Sequence, residues 1–427
     1  MRLWVAQAIT QTTQNAIWYA LLVLVEETSH STTQLGITIL SVVIPSVFFG
    51  VPAGVYVDRW DKRLVLVISN LGRAVIVVGY VIFGSVLALL YLVSFAFSMV
   101  SQFFAPAELA MIPAVVGRRG LMQATSLFHL TFTASQLLGL VLLGPLLVKL
   151  LGTGSFFVAA AALYAVSGLL VTALPHETSV AGPDTNRHPV HEMFEQVRDV
   201  GRQLLQDQVM LWAMAYWTVG VTLTLVIAML GPRFVVDVLN LQAGDTVFVL
   251  GPGLLGTVGT AIALSRSTPG NWTDRHRLIR RGLIVTAFAV GLIGTVPAIA
   301  RTFGIFRAEG HAFFQFGEPS DLTVIGATMV LAAVGGAGFT AMMIAAQTAL
   351  QERAPPDARG RIFAVQLMLG NLASIVPLMF IGGLADLVGV EQGLRLMAIA
   401  IVAIGLLGQR FAPVESAPGE AAPADEP

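Results

Sequence analysis

An all-α membrane protein is the fold this sequence predicts: twelve transmembrane helices in two six-helix bundles, with both termini cytoplasmic. Three observations carry that prediction. Hydrophobic residues make up 56% of the 427 and charged residues only 11%, whereas a soluble chain carries about 25% charged residues. The apolar residues form long continuous runs rather than the alternating pattern of an outer-membrane barrel. The basic residues fall mostly in every second loop. A soluble enzyme, a disordered chain and a disulfide-stapled secreted domain are thereby excluded; the chain has no cysteine, which also excludes thiol catalysis and thiolate metal sites. A net charge of −1 gives no sign of a nucleic-acid partner.

The runs fall at 3–25, 34–56, 64–84, 86–105, 122–147 and 155–174, then at 209–230, 246–265, 280–300, 322–344, 361–385 and 392–411. About 20 residues suffice to cross the hydrocarbon core. The first run has no small-residue cleavage site and reads as a span, not a signal peptide. The fourth is short and the eighth glycine-rich. With the N-terminus inside, 18 of the 24 Lys and Arg residues lie on the cytoplasmic side and 5 outside, Arg73 being within the third span; the positive-inside rule then fixes the orientation. The loop between the sixth and seventh spans is the longest inner one. Its Met193, Val197, Val200 and Leu204 recur at helical spacing among charges, predicting an amphipathic helix on the membrane surface. The organisation expected is an N-terminal bundle over 1–175, a linker over 176–208, a C-terminal bundle over 209–411 and a disordered cytoplasmic tail over 412–427. Phe303, Phe306, Phe313, Phe314 and Phe316 make the 301–321 outer loop aromatic.

The turn after the second span reads Gly54-Val-Tyr-Val-Asp58-Arg59-Trp60-Asp61-Lys62-Arg63. Gly54 permits close helix approach, Asp58 puts a carboxylate at the inner lip, and Arg59 and Arg63 set cations beside it. This resembles the loop signature of the major facilitator superfamily, G-x-x-x-D-R-x-G-R-R/K, with Asp61 where glycine is usual. Trp60-Asp61-Lys62-Arg63, Phe104-Ala-Pro-Ala-Glu108 through Pro113, and Arg359-Gly-Arg361 with Gly382-Gly-Leu-Ala-Asp386 are similar to the branch of macrolide-efflux and siderophore-export proteins, which often has arginine near the place of Glu108. The resemblance covers about residues 1–411 and implies alternating access between two bundles around a midplane site. The fourth-span arginine and the fifth-span glycine–proline spacing common in drug–proton antiporters are missing here. Gly54, Asp58, Arg59, Arg63, Arg73 and Glu108 are the residues expected at a cytoplasmic gate.

Polar side chains within a span must face protein or water, so polar stripes point to the pathway. Gln7, Gln11, Gln14 and Trp18 fall within about 60° of one another on the first helix, with Asn15 at their edge. His129 and Gln136 share a face of the fifth span, Trp212 and Tyr216 one of the seventh, and Gln366 lies on the eleventh. These are the expected cavity residues, suited to amphipathic neutral or mildly charged molecules. Glu26 and Glu27 at the outer end of the first span, and Asp386 at that of the eleventh, are the candidates for proton coupling.

The sequence therefore predicts a monomeric secondary transporter in the cell membrane that acts on a small molecule and protons within the lipid bilayer. Efflux is the expected direction; an uptake symporter and a non-transporting sensor or scaffold are the alternatives. No cofactor, catalytic residue, metal site or enzymatic activity is expected. Gly251-Pro252-Gly253 and Gly335-Gly336 read as helix packing, since no lysine follows to bind phosphate.

Overall fold

The computed structural model describes residues 2–116, 131–132, 134–136, 138–173, 189–242, 245–246, 249, 251–266, 272–302, 319–353 and 359–411. Every regular element among them is helical. In order they are α1 (Arg2–Ser29), α2 (Thr32–Arg59), α3 (Lys62–Phe83), α4 (Leu87–Val116), a π-helical segment (Leu138–Leu143), α5 (Gly144–Val171), α6 (Pro189–Gln206), α7 (Gln208–Asp237), α8 (Pro252–Ser265), α9 (Trp272–Ile293), α10 (Val296–Thr302), α11 (Pro319–Arg353), α12 (Arg359–Val388) and α13 (Val390–Phe411). Among the described residues nine helices are long and apolar enough to cross a membrane. The expected twelve include three more: α1, whose first half is rich in Gln and Thr; the short α8; and the fifth span, much of which lies outside the described residues.

Local chemistry sets the helix ends. Ser31 caps α2 by accepting from the Gln34 amide, and Asp61 caps α3 by accepting from the amides of Arg63 and Leu64. Asp207 does the same for Val209 and Met210 at the start of α7. A capping side chain satisfies amides that have no partner within the helix. Asp61 thus earns its place where the family pattern has glycine: its φ of −62° needs no glycine, and its carboxylate starts the next span. Gly152, at φ 76°, breaks α5 between the end of the fifth span and the sixth, and Gly389, at φ 94°, separates α12 from α13. Both positions favour the residue without a Cβ.

Two expected boundaries move. The fourth span was expected to end near 105, before a proline-led turn. Instead α4 runs through Pro106 and Pro113 to Val116. Proline within a membrane helix loses one hydrogen bond that neighbouring protein can offset, so it does not compel a stop. The ninth span, expected as 280–300, bends at Gly294–Thr295 between α9 and α10; there Arg395 donates from Nε to the freed Gly294 carbonyl at 2.9 Å.

Helices α1 to α5 pack among themselves, α3 lying against α4 and α5, α2 against α4, and α1 against α5. Helices α7 to α13 form the second set, in which α11 meets α7, α8 and α9, and α12 meets α7 and α13. Gly253 and Gly336, read as packing residues, do pack: a Cβ on Gly336 would collide with the Gly253 carbonyl oxygen, and one on nearby Gly256 with that of Ala333. Backbone meets backbone between α8 and α11, as small residues allow in membranes. Large apolar side chains such as Val75, Leu150, Leu255 and Val376 are exposed, as a lipid-facing surface requires. The two sets meet chiefly through α2 and α12, with α1 and α2 also touching α7. The amphipathic helix α6 packs against both α2 and α12, with Val200 and Leu204 buried; part of its apolar face thus covers protein and not lipid alone.

Candidate functional site

The first-helix stripe points into the N-terminal bundle. Gln7 and Gln11 are buried, at 1% and 7% exposure. Gln14 is half-buried, and its Oε1 accepts from Arg73 Nη1 at 3.1 Å. Asn15 donates to the Gln11 carbonyl at 2.8 Å, and Trp18 is half-buried against the core. The reason is Arg73. It is fully buried on α3 and donates also to Asn70 Oδ1 at 2.9 Å and the Ser69 carbonyl at 3.3 Å. The rings of Phe104 and Tyr164 cover its guanidinium at 4.2 and 4.9 Å. A cation at this depth needs acceptors and π faces, and the amides of α1 supply part of them. Thr10, Ser167 and Asn70 continue the polar layer, with Thr10 and Ser167 hydroxyls 2.7 Å apart.

Glu108 lies in the same layer, 1% exposed. Arg73 and Glu108 were expected at the cytoplasmic gate. They instead lie inside one bundle, about 16 Å from the inner end of α3 and about 12 Å from that of α4 at 1.5 Å per residue, because α4 continues past 105 and carries Glu108 into the interior.

The outer ends of the bundles are joined by three polar contacts. Glu26 of α1, 1% exposed, accepts from Arg233 Nη1 of α7 at 3.3 Å; Arg233 also pairs with Asp237 at 2.6 Å, and His30 lies 3.8 Å from Glu26. Asp386 of α12 sits at the start of α2. One oxygen accepts from the Thr32 amide at 2.6 Å; the other accepts from the Thr33 amide at 2.9 Å and the Ser31 hydroxyl at 2.7 Å. Lys149 pairs with buried Asp245 at 2.9 Å. Deeper in the seam, Asn371 donates to Ser46 at 2.9 Å. Glu27, the neighbouring candidate, is exposed.

Packing along α2 tells which side is closed. At its outer end a Cβ on Gly36 would lie 3.0 Å from the Met229 sulfur and 3.7 Å from the Leu378 carbonyl oxygen, both of the other bundle. A Cβ on Gly382 of α12 would lie 3.3 Å from the Met229 sulfur and in van der Waals contact with the Thr32 carbonyl across the seam, at 3.4 Å. At the inner end, where close approach was expected, a Cβ on Gly54 would meet none of the described residues within 4 Å. The bundles converge outside and leave Gly54 uncrowded. Arg63 is half-buried, and its amide donates to Asp61; the side chains of Asp58 and Arg59, in the last turn of α2, lie outside what is described.

In the C-terminal bundle the Trp212 and Tyr216 rings lie 5.7 Å apart, and the buried Tyr216 hydroxyl is 2.8 Å from His276 Nε2. Gln366 is buried and donates to Gln347 at 2.9 Å. Gln136 is exposed, and His129 lies outside the described residues. A pocket of about 240 Å³ lies between α7, α8, α9 and α11, lined by residues such as Leu223, Ile227, Phe234, Leu331 and Phe339. Its hydroxyls, on Thr224, Thr257 and Thr286, each donate to a carbonyl of their own helix, so the lining is apolar; the expected cavity residues lie elsewhere.

Two membrane-spanning bundles joined at one end, with a shared helix seam between them, define a transporter architecture. The chain belongs to the Major Facilitator Superfamily, whose description matches residues 3–375. It is 24% identical over 389 residues to an uncharacterized MFS-type transporter, YfiS, of Bacillus subtilis (strain 168), covering 88% of this chain and 84% of that protein. Solved structures with this fold include the nucleoside transporter NupG, at a TM-score of 0.69, 13% identity and coverage of 97% of this chain and 100% of that one. A POT family transporter in complex with 5-aminolevulinic acid has a TM-score of 0.65 and 10% identity, covering 96% and 95%. A bacterial homolog of the human lysosomal transporter Spinster, inward-facing and occupied, has a TM-score of 0.62 and 13% identity, covering 96% and 94%.

Proposed function

We propose that this facilitator-family transporter exports amphipathic, neutral or weakly charged organic molecules across the cell membrane, as a monomer, in exchange for protons. Residues 1–175 and 209–411 rock against each other, with 176–208 as the strap between them. The observation that carries the reading is the set of breakable outer contacts: Glu26–Arg233 and Asp386 with the start of α2 join the bundles at one end, while Gly54 at the other end of the seam is uncrowded. Such a seam suits alternating access. The apolar pocket of the C-terminal bundle suits the greasy part of an amphipathic molecule, and the resemblance of Trp60-Asp61-Lys62-Arg63 to macrolide and siderophore exporters supports the outward direction.

Proton-coupled uptake is the second reading, favoured by one observation. The Glu26–Arg233 pair holds while Glu26 is ionised, so acid from outside loosens the outer contact and favours the outside-open state. Flux direction separates the two. Everted vesicles from a strain lacking its own pumps are energised acid-inside, and labelled erythromycin and ethidium are followed. Accumulation that collapses with the pH gradient is the expected result. Accumulation only in right-side-out vesicles supports uptake, and no flux of either probe in either orientation removes the export reading.

A further inference from the structure

The mechanism outlined so far leaves one group unused. Glu108 is almost fully buried, and among the described residues neither of its carboxyl oxygens has a partner in hydrogen-bond geometry. Gln11 of α1 is its polar neighbour. Arg73, the buried cation of the same layer, is already engaged by Gln14, Asn70 and the Ser69 carbonyl and covered by two rings. Yet it is close: it lies 4.2 Å from the ring of Phe104, one helical turn before Glu108 on the same face of α4. A carboxylate left ionised at this depth without donors would be several kcal/mol out of balance. A bare metal cation is a poor occupant, since it would need about six oxygen ligands beside a guanidinium.

We propose that Glu108 is the residue that carries the coupled proton: a neutral acid in the outside-closed state, it gives the proton up when Arg73 turns from its amide acceptors to pair with it. This rests on the proton-exchange reading above and assigns its coupling site. The step balances simply. The Glu108 carboxylic acid becomes a carboxylate plus a proton that leaves to the cytoplasm, and the charge created is met by Arg73. Substrate arriving from inside acts through α1, whose Gln11 faces Glu108 and whose Gln14 holds Arg73, so displacing one helix frees the cation and changes the environment of the acid together. After substrate is released outside, reprotonation returns Arg73 to Gln14 and Asn70.

The described ionisable groups facing α4 are few. From α3 come Arg73 and Tyr80, the latter bonded to Ser94 of α4 at 3.2 Å. From α5 comes Tyr164, against Phe97. From α2, Tyr56 reaches α4 only through Trp60, which stacks on Phe103. From α1 come amides. Lys62 is also buried on this face of α3, eleven residues nearer its inner end; Arg73 is the cation in the layer of Glu108, so the state of Glu108 and the partners of Arg73 are linked.

Two measurements test this. Infrared difference spectra of the purified full chain in liposomes, with no substrate present, should contain a protonated carboxyl band at neutral pH that disappears in Glu108→Gln. The same variant in everted vesicles should lose pH-gradient-driven ethidium accumulation down to the level seen with the gradient collapsed, and replacing sodium by choline should leave the wild type unchanged. Absence of the band in the wild type overturns the proposal, and that measurement stands even where the variant fails to fold. A band that vanishes while the variant still accumulates ethidium against the gradient also overturns it, leaving Glu108 a buried structural acid. Loss of wild-type accumulation in choline assigns the coupling to sodium instead. A wild type that responds to no gradient sinks the export reading and the coupling role with it, whereas the band still decides whether Glu108 holds a proton.

Discussion

Replacing Asp386 with alanine should weaken the outer contact by a calculable amount. Asp386 accepts three hydrogen bonds, two from the first amides of α2 and one from Ser31. It is a helix cap supplied from the opposite bundle. Loss of a capping side chain costs about 0.5–2 kcal/mol, and an anion at a helix N-terminus contributes about 0.3–1 kcal/mol more. Because Asp386 is exposed, the lower part of the combined range applies, about 1–2 kcal/mol. Since 1.4 kcal/mol is a factor of ten, the outside-open state should rise roughly 5- to 30-fold relative to the outside-closed one. Ser31 still caps α2 locally, so the helix itself survives. Asparagine, with one acceptor oxygen in place of two, should fall between wild type and alanine.

The chain has no cysteine, so a single introduced pair can be labelled cleanly. Thr28 at the outer end of α1 and Val388 at that of α12 are both exposed and lie in different bundles. Spin labels at Thr28→Cys and Val388→Cys report the outer opening as a distance distribution in liposomes. Asp386→Ala should add a longer-distance population of the stated size. An unchanged distribution would refute the argument that this side chain holds the bundles together.

The same label pair reads a second prediction: the outside-open fraction of the wild type rises as external pH falls, because protonation of Glu26 removes its pairing with Arg233, and Glu26→Gln makes the response flat. Gly256→Leu should cut thermal stability in detergent by at least the roughly 1–3 kcal/mol of an overpacked core, since even its Cβ would collide with the Ala333 carbonyl oxygen. Gly259→Leu, with nothing within 4 Å of its Cβ, should be nearly neutral in the same melt. Asp61→Ala should destabilise by about 1 kcal/mol and Asp61→Gly by only a few tenths; equal melting temperatures for the two would argue against the cap at α3.

The spans and their orientation were legible because lipid leaves few solutions: long apolar runs and basic cytoplasmic loops are required by solvation alone. What the sequence could not provide was the partner of each polar group. Periodicity placed Gln7, Gln11 and Gln14 on one face of α1, but not whether that face met water or protein. Gln14 meets a cation from α3, about sixty residues away. Asp386 was recognisable as a carboxylate at an outer helix end, yet its partners lie some 350 residues earlier, at the start of α2. Glu108 was expected near the inner lip because the apolar run of the fourth span ends near 105, whereas α4 continues through Pro106 and Pro113 to Val116. Asp61 as a cap was missed for a different reason. The signal, an aspartate immediately before an apolar run, was present but was read as a departure from a family pattern.

The helix seam carries a pattern that makes one last prediction. Gly54-x-x-x-Asp58 ends α2 on the inside, and Gly382-x-x-x-Asp386 ends α12 on the outside. The two occurrences stand at opposite ends of two helices that pack together. In this structure the outer one is engaged: Gly382 is in van der Waals contact with the start of α2 and Asp386 caps it. Gly54 is uncrowded. If rocking closes one end as it opens the other, Gly54 must lose its free space in the outside-open state. A leucine at either position then has opposite consequences. Gly382→Leu wedges the outer seam and should move the Thr28/Val388 distances toward the open form. Gly54→Leu occupies space needed only in the other state and should hold the protein outside-closed, stopping transport without lowering its melting temperature. Movement of both variants in the same direction would mean that the two glycines do not serve alternate ends of one seam.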